Sequence, residues 1–145
     1  ADDIRVLSAT PEYLAAYGTP RTPADLVKHQ LIAFRDRAPR AMVSGSGKKA
    51  TFDTSGHNCN LIFDDGRSHR LATLAGAGIA ANSVWSVHSD LKAGRLVRVL
   101  ADYTLAEGTG LWLIYPQANV LSPKVRAFMD YLLEEIGGRP PWLRP

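Results

Sequence analysis

The chain has 145 residues, 46% of them apolar and 21% charged, with a formal net charge of +3. That balance suits a globular protein of about one domain, in which ~70% of the unfolded surface can be buried. The mild positive excess forms no stripe suited to a phosphate backbone, the single cysteine excludes an intrachain disulfide, and no apolar run is long enough to span a membrane.

No secretory leader pattern is read at the N-terminus. Ile4–Ala9 is a short strand candidate. Thr10-Pro11-Glu12 then offers a capping hydroxyl followed by proline at the first helical position, where its missing N–H does no harm, and this helix ends at Gly18. The same signal recurs at Thr22-Pro23, opening a second short helix, and at Ser122-Pro123. Leu31–Phe34 reads as a strand and Arg35–Arg40 as a charged turn. Ala41–Val43 and Lys49–Phe52 can pair as a hairpin around the flexible Ser44-Gly45-Ser46-Gly47.

Cys59 to Phe63 is another short apolar run. It ends at Asp64-Asp65-Gly66, where either carboxylate can cap a helix reaching Leu74 and favour the positive end of its dipole. Leu71, Leu74 and Ala75 share one face of that helix, and Gly76 and Gly78 stop it. Ile79-Ala80-Ala81 reads as a strand covered on both faces, with Asn82 and Ser83 at its carboxyl end. Ser83 can cap a helix from Val84 to Leu91, Gly94 closes it, and Arg95–Leu100 is a strand candidate. Helix, strand, helix, strand is the grammar of an open α/β sheet.

Near the C-terminus Val125, Phe128, Met129, Leu132, Leu133 and Ile136 form a full apolar stripe on one helix, which must face its own lobe or a second molecule. At least a dimer is expected. Gly137-Gly138 stops this helix, and the tail Arg139–Pro145 is expected to be non-helical.

Signals of chemistry are weaker. Gly76–Ala81 matches a dinucleotide fingerprint in letters, but it follows a helix and opens a strand, the reverse of the required context. Ser44–Lys49 lacks the spacing of a phosphate loop. His57 and Cys59 fall on one face if they lie on a strand, which would suit a nucleophile and its base in a small hydrolase, yet nothing announces an oxyanion hole. Asp64 and Asp65 could act as an acid/base pair, and capping explains both. Trp85 and Tyr115 could stack on a ligand or pack in a core. Histidines 29, 57, 69 and 88 show no metal-ligand spacing.

What remains is binding. In open α/β sheets ligands sit beyond the carboxyl ends of strands, against helix N-termini. The polar groups expected at such corners are Thr10, Phe63-Asp64-Asp65 and Asn82-Ser83, all on one edge.

The run LATLAGAGIA (71–80), followed by DLKAGRLVRVL (90–100), resembles the effector-binding region of LysR-type transcriptional regulators, where an "ALAGLGIA … DLAAGRLVRVL" pattern recurs. RVLSATPEYLAAYGTPRTPADLVKHQLI (5–32) is similar to the segment entering that family's second regulatory lobe, and LWLIYPQANVLSPKVRAFMDYLLEEI (111–136) to its C-terminal strand and helix. The motifs keep the family's order from Ile4 to Ile136.

The resemblance implies an open mixed α/β sheet flanked by helices, one lobe of a type 2 periplasmic-binding-protein-like fold. Residues 1–112 would form the second regulatory lobe, and 113–145 the returning strand, helix and tail that complete the first. A small effector would bind between lobes, contacted by Ser8, Thr10, Phe63, Asp64, Asp65, Asn82 and Ser83, with Val6–Ser8 and Leu113–Tyr115 as crossing strands.

The resemblance further implies a cytoplasmic bacterial regulator that is no enzyme and uses no cofactor or metal. It would reach DNA through a winged helix-turn-helix absent from this chain. Two aspartates stand where many members carry Ser or Asn, which argues against a carboxylate effector at that spot unless another group offsets the charge. The alternative reading is a fragment of a periplasmic solute-binding protein.

Overall fold

The computed structural model describes residues 1–105, 109–115 and 122–144. The chain divides into two compact units, Ile4–Glu107 and a smaller one made of Ala1–Asp3 with Gly108–Pro145.

The larger unit begins with β1 (Arg5–Ala9), α1 (Pro11–Tyr17), a 3-10 helix (Pro23–Lys28) and β2 (Leu31–Phe34). The hairpin β3 (Arg40–Ser44) and β4 (Lys49–Phe52) follows, then β5 (Leu61–Phe63), α2 (Gly66–Leu74), β6 (Ile79–Ser83) and α3 (Val84–Lys92). Two short strands end it, β7 (Val97–Arg98) and β8 (Tyr103–Leu105).

One sheet has the order β5-β2-β6-β1-β7. In it β2 is parallel to both β5 and β6, while β1 runs antiparallel to β6 and β7. Helix α2 packs on β2, β5 and β6, the crossover that strands of like direction require. Leu7, Ile32 and Ile79 are buried in these strands. A second sheet, β4-β3-β8, is antiparallel throughout. Its hairpin lies where the sequence places it, with the Lys48 N–H donating to Ser44 Oγ at 2.9 Å.

Local signals explain the helix starts. Thr10 Oγ1 accepts from the Tyr13 N–H at 3.2 Å, and Asp65 Oδ1 accepts from the Ser68 N–H at 2.8 Å. Asp25 reaches back to accept from the Thr22 N–H at 2.8 Å. Gly78 is required because a Cβ there would overlap the Gln30 carbonyl, which accepts from the Ile79 N–H at 2.8 Å.

Several expectations are corrected. Leu71 is 49% exposed, and the inward residues of α2 are His69 and Thr73, because the facing sheet offers polar partners there. Only Val97–Arg98 of the Arg95–Leu100 run is strand, since the Arg95 and Leu96 amides both donate to the Asp90 carbonyl and Leu100 takes a φ of 49°. Leu113–Tyr115 forms no ladder; a strand needs a neighbour to pair with, and the only β-bridge of the smaller unit among the described residues is Asp2 with Gly110. The tail, expected to be non-helical, contains a 3-10 turn, Pro141–Leu143, tolerated because its proline sits at the first position.

The smaller unit carries α4 (Pro123–Ile136), capped by Ser122, whose Oγ accepts from the Val125 N–H at 3.4 Å. Phe128 and Leu133 on its apolar stripe are 60% and 57% exposed.

One feature was not anticipated. The Asp90 side chain is fully buried and accepts from Arg70 Nε at 2.7 Å and from Arg95 Nη2 at 2.6 Å, fastening α2 and the α3–β7 turn together. Burial pushes its carboxyl pKa up, but hydrogen bonds from Arg95 and Arg70 outweigh that and hold it below the ordinary value. Asp90→Ala strands two guanidiniums, although Arg95 is half exposed and can rehydrate. Urea denaturation is expected to show a loss of about 3 kcal/mol, the low end for breaking a buried pair.

Candidate functional site

The parallel strands β2, β5 and β6 bring their carboxyl ends to one edge of the sheet, and α2 begins there. Because β1 is antiparallel to β6, pairing Arg5 with Ser83 and Ser8 with Ala80, its amino end reaches the same edge. Arg5, Phe34, Phe63, Asp64, Asp65 and Ser83 therefore gather at this edge. Thr10 does not. It lies by the C-terminal end of α2, where a Cβ on Gly76 would stand 3.4 Å from Thr10 Oγ1. The expectation of a single edge for all the polar corners is thus corrected: it took β1 to run with its neighbours, and a five-residue run carries no mark of direction.

Ser8 and Asn82 meet beneath the surface instead. Both are buried, and Asn82 Nδ2 donates to Ser8 Oγ and to Thr73 Oγ1, each at 3.1 Å. Thr73 spends its hydroxyl proton on the His69 carbonyl at 2.9 Å, so its oxygen can only accept. That orients the Asn82 amide and turns Oδ1 toward His69 Nδ1, 3.1 Å away, which must carry a proton. The remaining ring nitrogen, Nε2, is buried without a partner. Burial lowers the His69 pKa, with the Ile32 backbone and the Asn82 side chain acting the other way, which favours the neutral ring.

Above it, the His69 ring lies 5.4 Å from that of Phe34. The guanidiniums of Arg5 and Arg35 stand 5.6 and 5.4 Å from the centre of the same ring, within cation–π range. Arg35 holds a φ of 68°, a left-handed conformation that a side chain adopts at a cost of order 1–3 kcal/mol. Its N–H donates to the Phe63 carbonyl at 2.6 Å, tying the ends of β2 and β5. A cavity of about 20 Å³ opens among Arg5, Phe34, Arg40, Thr54 and His69.

Of the residues expected at the site, Asp65 is committed as helix cap, its pKa lowered by hydrogen bonds from the side chain and backbone of Ser68. Asp64 is exposed and Phe63 half-buried. Ser83 precedes α3 without a capping hydrogen bond from its side chain. The roles of Arg5, Phe34, Arg35 and His69 were not read from the sequence. His69 and Thr73 do stand four apart on one helix face, but an exposed polar face looks the same.

The nucleophile reading loses its geometry. Residues 57–60 are not strand, His57 is exposed, and burial pushes the Cys59 thiol pKa up, away from the reactive thiolate. Among the described residues no cluster of three or more His, Cys, Asp or Glu could hold a metal ion. No described helix is long and apolar enough to cross a membrane.

A mixed sheet flanked by helices, with capping groups and cations at the carboxyl edge of its parallel strands, is a lobe of the type 2 periplasmic-binding-protein-like fold. Solved structures of the same fold agree with this. The regulatory domain of CrgA from Neisseria meningitidis superposes with a TM-score of 0.73 at 25% identity, covering 94% of this chain and 67% of that one. The regulatory domain of AphB from Vibrio vulnificus gives 0.71 at 23% identity, over 90% of this chain and 64% of that one.

Residues 1–137 match the LysR substrate binding domain, and the chain belongs to that family. The HTH-type transcriptional regulator YcaN of Escherichia coli K12 is 36% identical over 126 residues, 87% of this chain and 40% of that protein. CrgA of N. meningitidis serogroup C is 30% identical over 129 residues, 89% and 42% respectively. The chain thus spans about two fifths of the length of these relatives.

His69 gives a pH signature. An unfolded histidine titrates near ~6.5, and the folded value is lower, so below that pH the unfolded chain binds the extra proton first. Stability is therefore expected to fall as pH drops from ~6.5 through the folded value. His29, also buried and lowered, adds to the slope. The difference between wild type and His69→Gln in urea midpoints across pH 5–8 isolates the contribution of His69.

Proposed function

We propose that this chain is the effector-sensing part of a LysR-type transcriptional regulator and performs no chemistry on what it binds. The observation that carries this is the carboxyl edge itself: an aromatic ring flanked by guanidiniums over a buried polar network. Support comes from family membership and from relatives that are HTH-type transcriptional regulators, which also weigh against a periplasmic solute-binding protein.

In this reading Ile4–Glu107 is the second lobe of the effector domain. The effector touches Phe63, Asp64, Asp65 and Ser83, together with Arg5 and Phe34. Ser8 and Asn82 support the site from beneath, and Thr10 lies away from it. Residues Gly108–Pro145 belong to the first lobe. Binding shifts the population between two lobe arrangements, and a DNA-binding domain outside this chain transmits the shift. The protein works in the bacterial cytoplasm.

Titrating the isotope-labelled chain with a small-metabolite panel tests the site. A binding compound is expected to shift the amides of Arg5, Phe34, Asp64–Gly66 and Ser83; shifts confined to other surfaces would overturn the assignment.

The exposed stripe of α4 argues further for association, since burying Val125, Phe128 and Leu133 against a second copy removes costly apolar surface from water. Light scattering is expected to give at least a dimer, and a monomer at tens of micromolar would refute this.

A further inference from the structure

A second cavity lies in the same unit at the other end of β2, where Leu31 rather than Phe34 is the strand's contribution. It holds about 250 Å³ among the 3-10 helix Pro23–Lys28, the start of β2, the end of β4 and the loop that follows. Leu26 and Leu31 line it as buried apolar side chains, and Val27, 64% exposed, stands at its mouth.

The walls are fixed by the protein's own bonds. Asn58 Nδ2 donates to the Leu26 carbonyl at 3.1 Å and to the His29 carbonyl at 2.9 Å, and this ties the loop to the helix. Arg37 holds the backbone of the same loop, its Nε donating to the Thr54 carbonyl at 3.0 Å and its Nη2 to those of Ser55 and Gly56. Asp53 adds a turn: its Oδ1 accepts from the Ser55 N–H at 2.9 Å and from the Ser55 hydroxyl at 2.7 Å. Walls already in place lower the ordering cost of binding.

Size sets the scale of the ligand, and charge sets its sign. An apolar cavity of roughly 150 Å³ accepts benzene, so this one has room for a ring and a short arm. Among the described residues of the lining Asp53 is the one carboxylate, and no lysine or arginine is present. Hydrogen bonds from the Ser55 side chain and backbone hold the Asp53 pKa below its ordinary value, which keeps it ionised at neutral pH. Its Oδ1 is taken by Ser55, while Oδ2 has no hydrogen-bond or ion-pair partner among the described residues.

The cations of the bounding elements are engaged or distant. Arg37 is bonded to the loop carbonyls, and Lys28 acts on Asp25. Lys49 is four residues before Asp53, about 13 Å along an extended chain, beyond the ~8 Å over which exposed charges act in physiological salt.

We propose that this cavity binds a small primary amine with a cyclic apolar body, its ring against Leu26, Val27 and Leu31 and its ammonium on Asp53 Oδ2. The site is separate from the carboxyl edge and does not depend on how that edge is read.

The test is an amide-shift titration of the 145-residue chain at constant ionic strength and mildly alkaline pH, where the probe amines stay protonated. The probes are benzylamine and cyclohexylmethylamine, each beside its neutral and anionic counterparts (benzyl alcohol and cyclohexylmethanol, benzoate and cyclohexanecarboxylate). The amines are expected to shift the amides of Val27, Leu31, Thr51 and Asn58 and to bind roughly tenfold tighter than the alcohols, with the acids weakest. Asp53→Asn keeps an acceptor for Ser55 and should bring the amines down to the level of the alcohols. Val27→Lys, at an exposed position, should repel the amines.

Equal binding of amine and alcohol by the wild type, which needs no variant to fold, would overturn the proposal. So would a preference for the acids, or an amine preference that survives Asp53→Asn. Shifts confined to Arg5, Phe34 and Ser83 would assign the amine to the carboxyl edge and leave no second site.

Discussion

The side-chain amide of Asn82 ties three elements together where water does not reach. Its nitrogen serves Ser8 on β1 and Thr73 on α2, and its oxygen serves His69, also on α2. A primary amide on β6 is the one group that can donate twice and accept once across that gap. Removing it would leave several buried polar atoms without partners, each costing about 1–3 kcal/mol. The inner face of α2 is polar for this reason, and the helix is held by directed bonds as well as by packing. The same network settles which nitrogen of His69 carries a proton, so it connects the architecture of the lobe to the chemistry of its edge.

The antiparallel entry of β1 has comparable reach. Had β1 run parallel to β6, its carboxyl end and Thr10 would have shared the edge with Asp65 and Ser83. The observed direction puts Arg5 there and carries Thr10 to the far end of α2. A cation thus occupies a corner where a hydroxyl was expected. The chemistry of that corner follows from strand direction alone, since a guanidinium offers charge and a planar fork where a hydroxyl offers one weak dipole.

Much of the fold could be read from residues whose information is local. Thr10-Pro11, Asp65 and Ser122-Pro123 announce helix starts through bonds that span three residues, and Gly76 and Gly78 announce a stop through backbone freedom. The apolar runs at Leu31 and Ile79 become strands in place. What was not legible is long-range. Strand direction, the partner that β8 finds in β3, and the use of Asp90 to join Arg70 and Arg95 depend on residues far apart in the chain. Leu71 misled because periodicity finds an apolar face even where the fold buries the polar one. Of the edge, the acidic corner could be read and the basic one could not, because Arg5 and Arg35 look like ordinary surface charges until the fold brings them to Phe34.

Helix α2 is where these constraints converge. Its first turn is capped by Asp65 at the edge, its middle is fixed by Arg70 to the buried Asp90, and its inner face is bonded to Asn82. A helix fastened at successive turns moves as one body, because bending it would break buried bonds that have no aqueous substitute. A change at His69 is therefore felt along the whole helix and, through the Asp90 cluster, at the turn that follows α3.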